Sequence, residues 1–160
     1  MYANRQWVLA QRPAGEPDLD CFELRETDTD APTDGELLVE TRYLSVDPYM
    51  RGRMSEQESY AEPWAVGEPL EGGIVGEVVE TESDAYDIGD LVTGQGTWGE
   101  YSLLAAADVA PVDPSVAPPE SYLGILGMPG RTAYFGLLEV GDPAPGDTVV
   151  VSGAAGAVGS

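Results

Sequence analysis

The stretch Thr148-Val149-Val150-Val151-Ser152-Gly153-Ala154-Ala155-Gly156-Ala157-Val158-Gly159 decides how this chain is read. Its first five residues are a β-branched run, Thr148 to Val151, closed by Ser152, of the kind buried on both faces of a parallel sheet. Its second part places glycine at 153, 156 and 159, so the run leads at once into a Gly-x-x-Gly-x-x-Gly turn. A buried strand followed by such a turn opens a dinucleotide-binding βαβ unit. Small residues let the backbone approach a pyrophosphate, and the helix that follows offers it amides and a dipole. The same glycines would also make an ordinary tight turn; the valine run before them favours the first reading. The sequence stops at Ser160, ahead of the helix, the second strand and the residue that would read a ribose. The chain is therefore expected to be a fragment of a longer polypeptide, with residues 148–152 left as a strand with unpaired edges.

Moving outward, residues 142–147 read as an exposed Pro- and Gly-containing turn. From Pro118-Pro119 to Val140 the chain loses charge, keeping only Glu120, Arg131 and Glu139. Tyr122, Leu123 and Leu126, then Tyr134, Phe135, Leu137 and Leu138, fit two short helices. Pro129 suits the first turn of the second helix and Gly141 its end. Upstream lie short strands separated by turns. Residues 6–10, 36–44, 73–80, 91–94 and 98–104 are the candidates, with residues around Cys21, Phe22 and Leu24 also strand-like. Asp34-Gly35 and residues 87–90 mark corners, and the glycines of the 73–80 strand suggest a bulge or bend. Many short strands with glycine-rich corners indicate a mainly β fold, a small and partly open barrel. The expected division is 1–118 for the barrel, 119–146 for a helical connection and 147–160 for the start of a cofactor domain.

Composition narrows the chemistry. The 160 residues carry 29 acidic and 7 basic side chains, no histidine and a formal charge of −22. Every basic residue is an arginine. Without histidine there is no Ser-His-Asp triad, no Cys-His pair and no His-ligated metal. A single cysteine, Cys21, allows neither an internal disulfide nor a Cys-only zinc site. So acidic a surface repels phosphate backbones and anionic lipids, which speaks against nucleic-acid and membrane partners. The acids are scattered through turns, as in Glu26-Thr27-Asp28-Thr29-Asp30, rather than gathered in a tail. Dispersed acid without lysine points to a halophilic cytoplasm, where salt screens self-repulsion, over an acidic binding face. There is no basic n-region with an apolar run, and no stretch of ~20 apolar residues, so a cytoplasmic location is expected.

Three segments carry a resemblance. Residues 44–54, Leu-Ser-Val-Asp-Pro-Tyr-Met-Arg-Gly-Arg-Met, and residues 123–138, Leu-Gly-Ile-Leu-Gly-Met-Pro-Gly-Arg-Thr-Ala-Tyr-Phe-Gly-Leu-Leu, resemble the zinc-independent alkenal/prostaglandin reductase branch of the medium-chain dehydrogenase/reductase superfamily. Residues 146–159 resemble that family's entry into its cofactor domain, although Gly153 stands where the family often has alanine. The resemblance implies a GroES-like barrel followed by a Rossmann domain, here truncated after its first strand and glycine turn. It implies NADP(H) as cofactor, no metal, a homodimer, and a small enone, alkenal or quinone as substrate. Hydride would reach the β-carbon of the enone and a proton the α-carbon, with donors preplaced for the enolate oxygen. Pro69-Leu70-Glu71 stands where zinc-dependent relatives carry Gly-His-Glu, and Leu44 near their ligand cysteine.

By the same resemblance Tyr49 faces the substrate, its phenol able to donate to a carbonyl oxygen; the alternative is a half-buried tyrosine with its hydroxyl in water. Met128 and Thr132, one helical turn apart, would border the nicotinamide, or else serve as core and cap. Gly153, Gly156, Ala157, Val158 and Gly159 would cradle the cofactor. Arg51 and Arg53 are read as holding a loop against carboxylates rather than drawing in an anion. Met50 and Met54 are read as packing, Cys21 as inert, and Trp98 and Tyr101 as barrel core or rim. Catalytic residues are expected beyond Ser160. A free-standing GroES-like binding module, without catalysis, is the competing reading.

Overall fold

Short runs of β-branched and aromatic residues, each closed by a Gly, Pro or Asp corner, build the first part of the chain. In the computed structural model, which describes residues 1–56 and 61–160, these are β1 (Ala3–Leu9), β2 (Phe22–Asp28), β3 (Glu36–Leu44), β4 (Glu71–Thr81), β5 (Leu91–Thr97), β6 (Tyr101–Ala105) and β7 (Ala110–Pro111). A five-residue helix, α1 (Tyr49–Arg53), follows β3. Together they make one unit, Met1–Val112; Asp113–Ser160 forms a second.

Strands β1 and β2 pair antiparallel, and the other five form an antiparallel sheet in the order β6-β3-β4-β5-β7. The free edge of β1 is then closed by main-chain bonds to neighbouring segments. The Trp7 amide donates to the Trp98 carbonyl at 2.8 Å, the Leu70 amide to the Trp7 carbonyl at 2.9 Å, and the Gly67 amide to the Leu9 carbonyl at 2.7 Å. The result is a partly closed barrel, as the strand pattern implies. The β3–β4 register shifts twice, the second time between Thr41 and Tyr43, beside the Thr41–Gly76 pair. A Cβ on Gly76 would lie 2.5 Å from the Glu40 carbonyl oxygen, so the close approach of the two strands there needs glycine.

Two apolar clusters form the core. Leu37, Val39, Ile74, Val78 and Val92 fill the inner face of the larger sheet. Leu9, Met50, Met54, Trp64 and Leu70 form the second, with Phe22, Tyr49 and Trp98 packed at its margin. The 36–44 strand is found with the bounds its sequence suggests, and residues 73–80 and 91–94 lie inside longer strands. The strand expected over 98–104 begins only at Tyr101, because the Gly99 amide turns back onto the Thr97 carbonyl at 2.8 Å. Helix α1 has no counterpart in the sequence reading: five residues with an internal glycine show no helical period.

In the second unit a 3-10 turn, Pro119–Leu123, precedes α2 (Met128–Tyr134), with Pro129 in its first turn. The helix widens into π-type turns over Phe135–Gly141 and stops at Asp142, whose φ of 43° is left-handed. One expectation is corrected here. Residues 148–152 form no strand: Val149, Val150 and Val151 are 51%, 88% and 51% exposed and lack ladder partners among the described residues. A strand needs neighbours for its amides and layers for its side chains, and the second unit supplies neither.

Candidate functional site

Helix α1 is set by the residues before it. The Ser45 hydroxyl donates to Asp47 Oδ2 at 2.7 Å, and the Asp47 carbonyl accepts from the Met50 amide at 3.1 Å. Pro48, at φ −57°, is already helical, so Tyr49 opens the helix at once. Met50 and Met54, four residues apart and on one face, are buried in the second cluster, while Tyr49 packs against its margin. Trp64 and Trp98 meet edge-to-face there, ring centroids 6.5 Å apart. Among the described residues neither indole Nε1 has a hydrogen-bond partner. Gly72 lets these pieces touch: a Cβ on it would lie 2.7 Å from Met50 Cε, 3.0 Å from the Ser45 carbonyl oxygen and 3.1 Å from Trp98 Nε1.

Arginines surround this helix. Arg53, its side chain only 16% exposed, donates to Glu71 Oε2 at 2.7 Å and to the Glu62 carbonyl at 2.8 Å. Its guanidinium lies 4.9 Å from the Trp64 ring centroid, a cation–π distance. Arg51 donates to the Gly15 carbonyl, and Arg12 to the Met54 carbonyl and to Glu56. Arg51 and Arg53 thus hold loops. Trp64, Arg12 and Gly72 escaped the sequence reading; a lone tryptophan after Pro63 carries no period, and a bonding arginine looks like a solvated one.

Elsewhere in the first unit, burial raises the Cys21 thiol above its usual value, keeping it in the unreactive protonated form. Burial likewise raises the Tyr101 phenol. The Arg5 hydrogen bond holds the Glu100 carboxyl below its ordinary range. No group of three or more metal-ligating side chains occurs among the described residues.

In the second unit the Thr132 hydroxyl donates to the Met128 carbonyl at 2.8 Å, one turn back, and Met128 is half exposed. Both side chains stand at the surface of α2. Beside them Ile125, Leu126, Tyr134, Phe135 and Leu138 line an open apolar hollow of about 570 Å³. The glycine turn closes on itself: the Gly156 amide donates to the Gly153 carbonyl at 2.8 Å, and the Ser160 amide to the Gly156 carbonyl at 3.0 Å. Gly153 has φ +64°, and a Cβ on Gly159 would lie 2.5 Å from the Gly153 carbonyl oxygen. Ala157 and Val158 are both exposed, Val158 at 44%.

Residues 5–112 match the family described as the N-terminal domain of oxidoreductase. The chain belongs to this family. It is 46% identical over 157 residues to the NADPH-dependent curcumin reductase of Escherichia coli, spanning 98% of this chain and 46% of that protein. It is 39% identical over 162 residues to the NADP-dependent 2-alkenal reductase of Nicotiana tabacum, spanning 98% of this chain and 47% of that protein. The crystal structure of CurA from Vibrio vulnificus in complex with NADPH superposes with a TM-score of 0.90 at 43% identity, over 97% of this chain and 46% of that one. The resemblance to the zinc-independent reductase branch therefore holds through nearly the whole chain, and the GroES-like, mainly β fold is that of its first unit, Met1–Val112. The chain spans about half the length of the curated relatives it matches. No helix among the described residues is long and apolar enough to cross a membrane.

Proposed function

We propose that this chain is the N-terminal part of an NADP(H)-dependent, zinc-free reductase acting on the carbon–carbon double bond of α,β-unsaturated ketones and aldehydes. The observation that carries the reading is the similarity to the curcumin reductase, which runs through nearly all of the chain and so takes in both the Tyr49 helix and the approach to the glycine turn. The division of labour proposed is 1–118 for the substrate-side barrel, 119–146 for the connection and 147–160 for the entry to the cofactor domain.

The residues present fit a dinucleotide. The turn at Gly153, Gly156 and Gly159 leaves bare backbone, and no side chain has room at 159. Gly153, Gly156, Ala157, Val158 and Gly159 would lie along the cofactor's diphosphate, with Met128 and Thr132 beside its nicotinamide. When bound, the cofactor supplies the hydride. Tyr49 is assigned to the substrate: its phenol donates to the carbonyl oxygen, where negative charge develops as the double bond is reduced. The apolar cluster behind Tyr49 keeps water from that oxygen. The dispersed acidity supports a halophilic, haloarchaeal-type cytoplasm as the setting, and the family resemblance alone suggests a homodimer as the assembly of the whole protein.

The test uses the longer protein that contains this chain. It should consume NADPH with a simple enone and show no turnover with the corresponding saturated alcohol and NADP. Tyr49→Phe should lower enone kcat/KM by about 100-fold, the cost of one lost donor to a developing oxyanion. Turnover of the alcohol alone would replace the reading with an alcohol dehydrogenase; full activity of Tyr49→Phe would remove Tyr49 from the site.

A further inference from the structure

We infer that Arg53, assisted by Arg12 and Arg51, is a positioning residue for the helix that carries Tyr49. The inference rests on the reading of Tyr49 as a substrate group. Its starting point is how the few cations are used. With 29 acidic residues against 7 arginines, every guanidinium has carboxylates to choose from. Yet among the described residues four of them donate to main-chain carbonyls: Arg12 to Met54, Arg25 to Gly67, Arg51 to Gly15 and Arg53 to Glu62. All four bonds involve α1 or the segments that flank its cluster. By contrast Arg5 and Arg42 pair with Glu100, Glu40 and Glu77 along the barrel strands.

Arg53 is the centre of the arrangement. It is four residues from Tyr49 and ends the same helix. One guanidinium joins three elements: Nη2 holds Glu71 at the start of β4, Nε holds the Glu62 carbonyl, and its face covers Trp64. The Arg53 carbonyl in turn accepts from the Trp64 amide at 2.7 Å. Trp64, 3% exposed, packs with Met50, Met54 and Leu70 beneath Tyr49. A bond to a neutral carbonyl carries no partner charge for salt to screen, so the fastening differs from a surface ion pair. Lysine cannot replace it, because an ammonium is a point charge without a planar fork to bond two acceptors while stacking on an indole.

The test compares Arg53→Lys, which keeps the charge and loses the fork, with Arg42→Lys, which changes an arginine paired only with carboxylates on the sheet. In the 160-residue chain, amide hydrogen exchange should accelerate at least about tenfold at Trp64 and Met50 in Arg53→Lys while the β3–β4 ladder stays unchanged, the signature of a local opening. Arg42→Lys should leave the Trp64 and Met50 amides as they are. Equal acceleration everywhere, or none, overturns the inference. In the longer protein, Arg53→Lys should lower enone kcat/KM about tenfold, yet by less than about twofold when Tyr49 is already phenylalanine, since a positioning group acts through the group it positions. The same loss in both backgrounds would make Arg53 merely structural. If the parent protein has no enone turnover, the assignment of Tyr49 fails, and the exchange experiment still decides whether Arg53 fastens α1.

Discussion

Replacing Gly72 by alanine puts two opposing effects on one atom. Gly72 is buried in β4 and its φ lies outside the left-handed region, so alanine fits the backbone. On that ground alone the substitution should stabilise by about 0.4–1 kcal/mol, by narrowing the unfolded ensemble. The new methyl, however, meets Met50 Cε at 2.7 Å, the Ser45 carbonyl oxygen at 3.0 Å and Trp98 Nε1 at 3.1 Å. Met50 Cε is the end of a flexible chain and can yield; the other two are main chain and a ring held in the cluster. Overpacking of this kind costs about 1–3 kcal/mol, so the net expectation is a loss of about 1–2 kcal/mol. All three tryptophans lie in the first unit, so their fluorescence during urea unfolding reports that unit alone. The midpoint should fall by about 0.5–1 M. Met50→Leu removes Cε at a cost under about 1.5 kcal/mol, and the double variant should lose at least about 0.5 kcal/mol less than the sum of the singles. A neutral Gly72→Ala, or strict additivity in the cycle, would refute the claim that Gly72 is the contact point between sheet and α1.

Thr33 donates to Glu36 through its hydroxyl at 2.6 Å and its amide at 2.9 Å, and these bonds hold the Glu36 carboxyl below its ordinary value. A lowered carboxylate contributes stability above the unfolded-state pKa and loses it as pH falls through the folded value, so the deficit of Thr33→Ala should be full near neutral pH and shrink as acidification carries Glu36 through its lowered folded-state value; a deficit unchanged by acidification would contradict this. Val150 is 88% exposed, so Val150→Lys should leave the thermal midpoint of this chain unmoved to within the effect of about 0.5 kcal/mol, and a larger loss would mean that the valine run is covered.

Much of the barrel is written locally. Asp34-Gly35 turns into β3 because Gly35 takes φ +81°, and the strand starts one residue later. The β4 glycines signalled an irregularity, and Gly76 sits beside one. Helix α1 carries no period of its own in five residues; the turn at Ser45, Asp47 and Pro48 starts it, and groups distant in sequence, above all Glu71 and the Glu62 carbonyl bonded by Arg53, fasten it. Tyr49, proposed above as a substrate group, is singled out only by the motif around it. What lies beneath it, Trp64 and the arginine bonds, depends on chain segments meeting, and no local pattern encodes that. The glycine turn was legible because its constraint is local: a bare backbone folding on the Gly153 carbonyl.

The misread strand shows which part of the dinucleotide motif carries weight. Leu37-Leu38-Val39 and Val149-Val150-Val151 are equally apolar runs of three. The first is at most 2% exposed because β4 and β6 flank β3 and satisfy its amides; the second is at least half exposed because the second unit offers it no ladder. Burial is a relation between layers, and a run of valines states only a readiness for it. The glycines differ in kind. Their positive φ at 153 and the lack of room for a side chain at 159 are present without any sheet behind them. The case for a cofactor cradle therefore rests on the turn, and the strand would follow from whatever sheet assembles beside it.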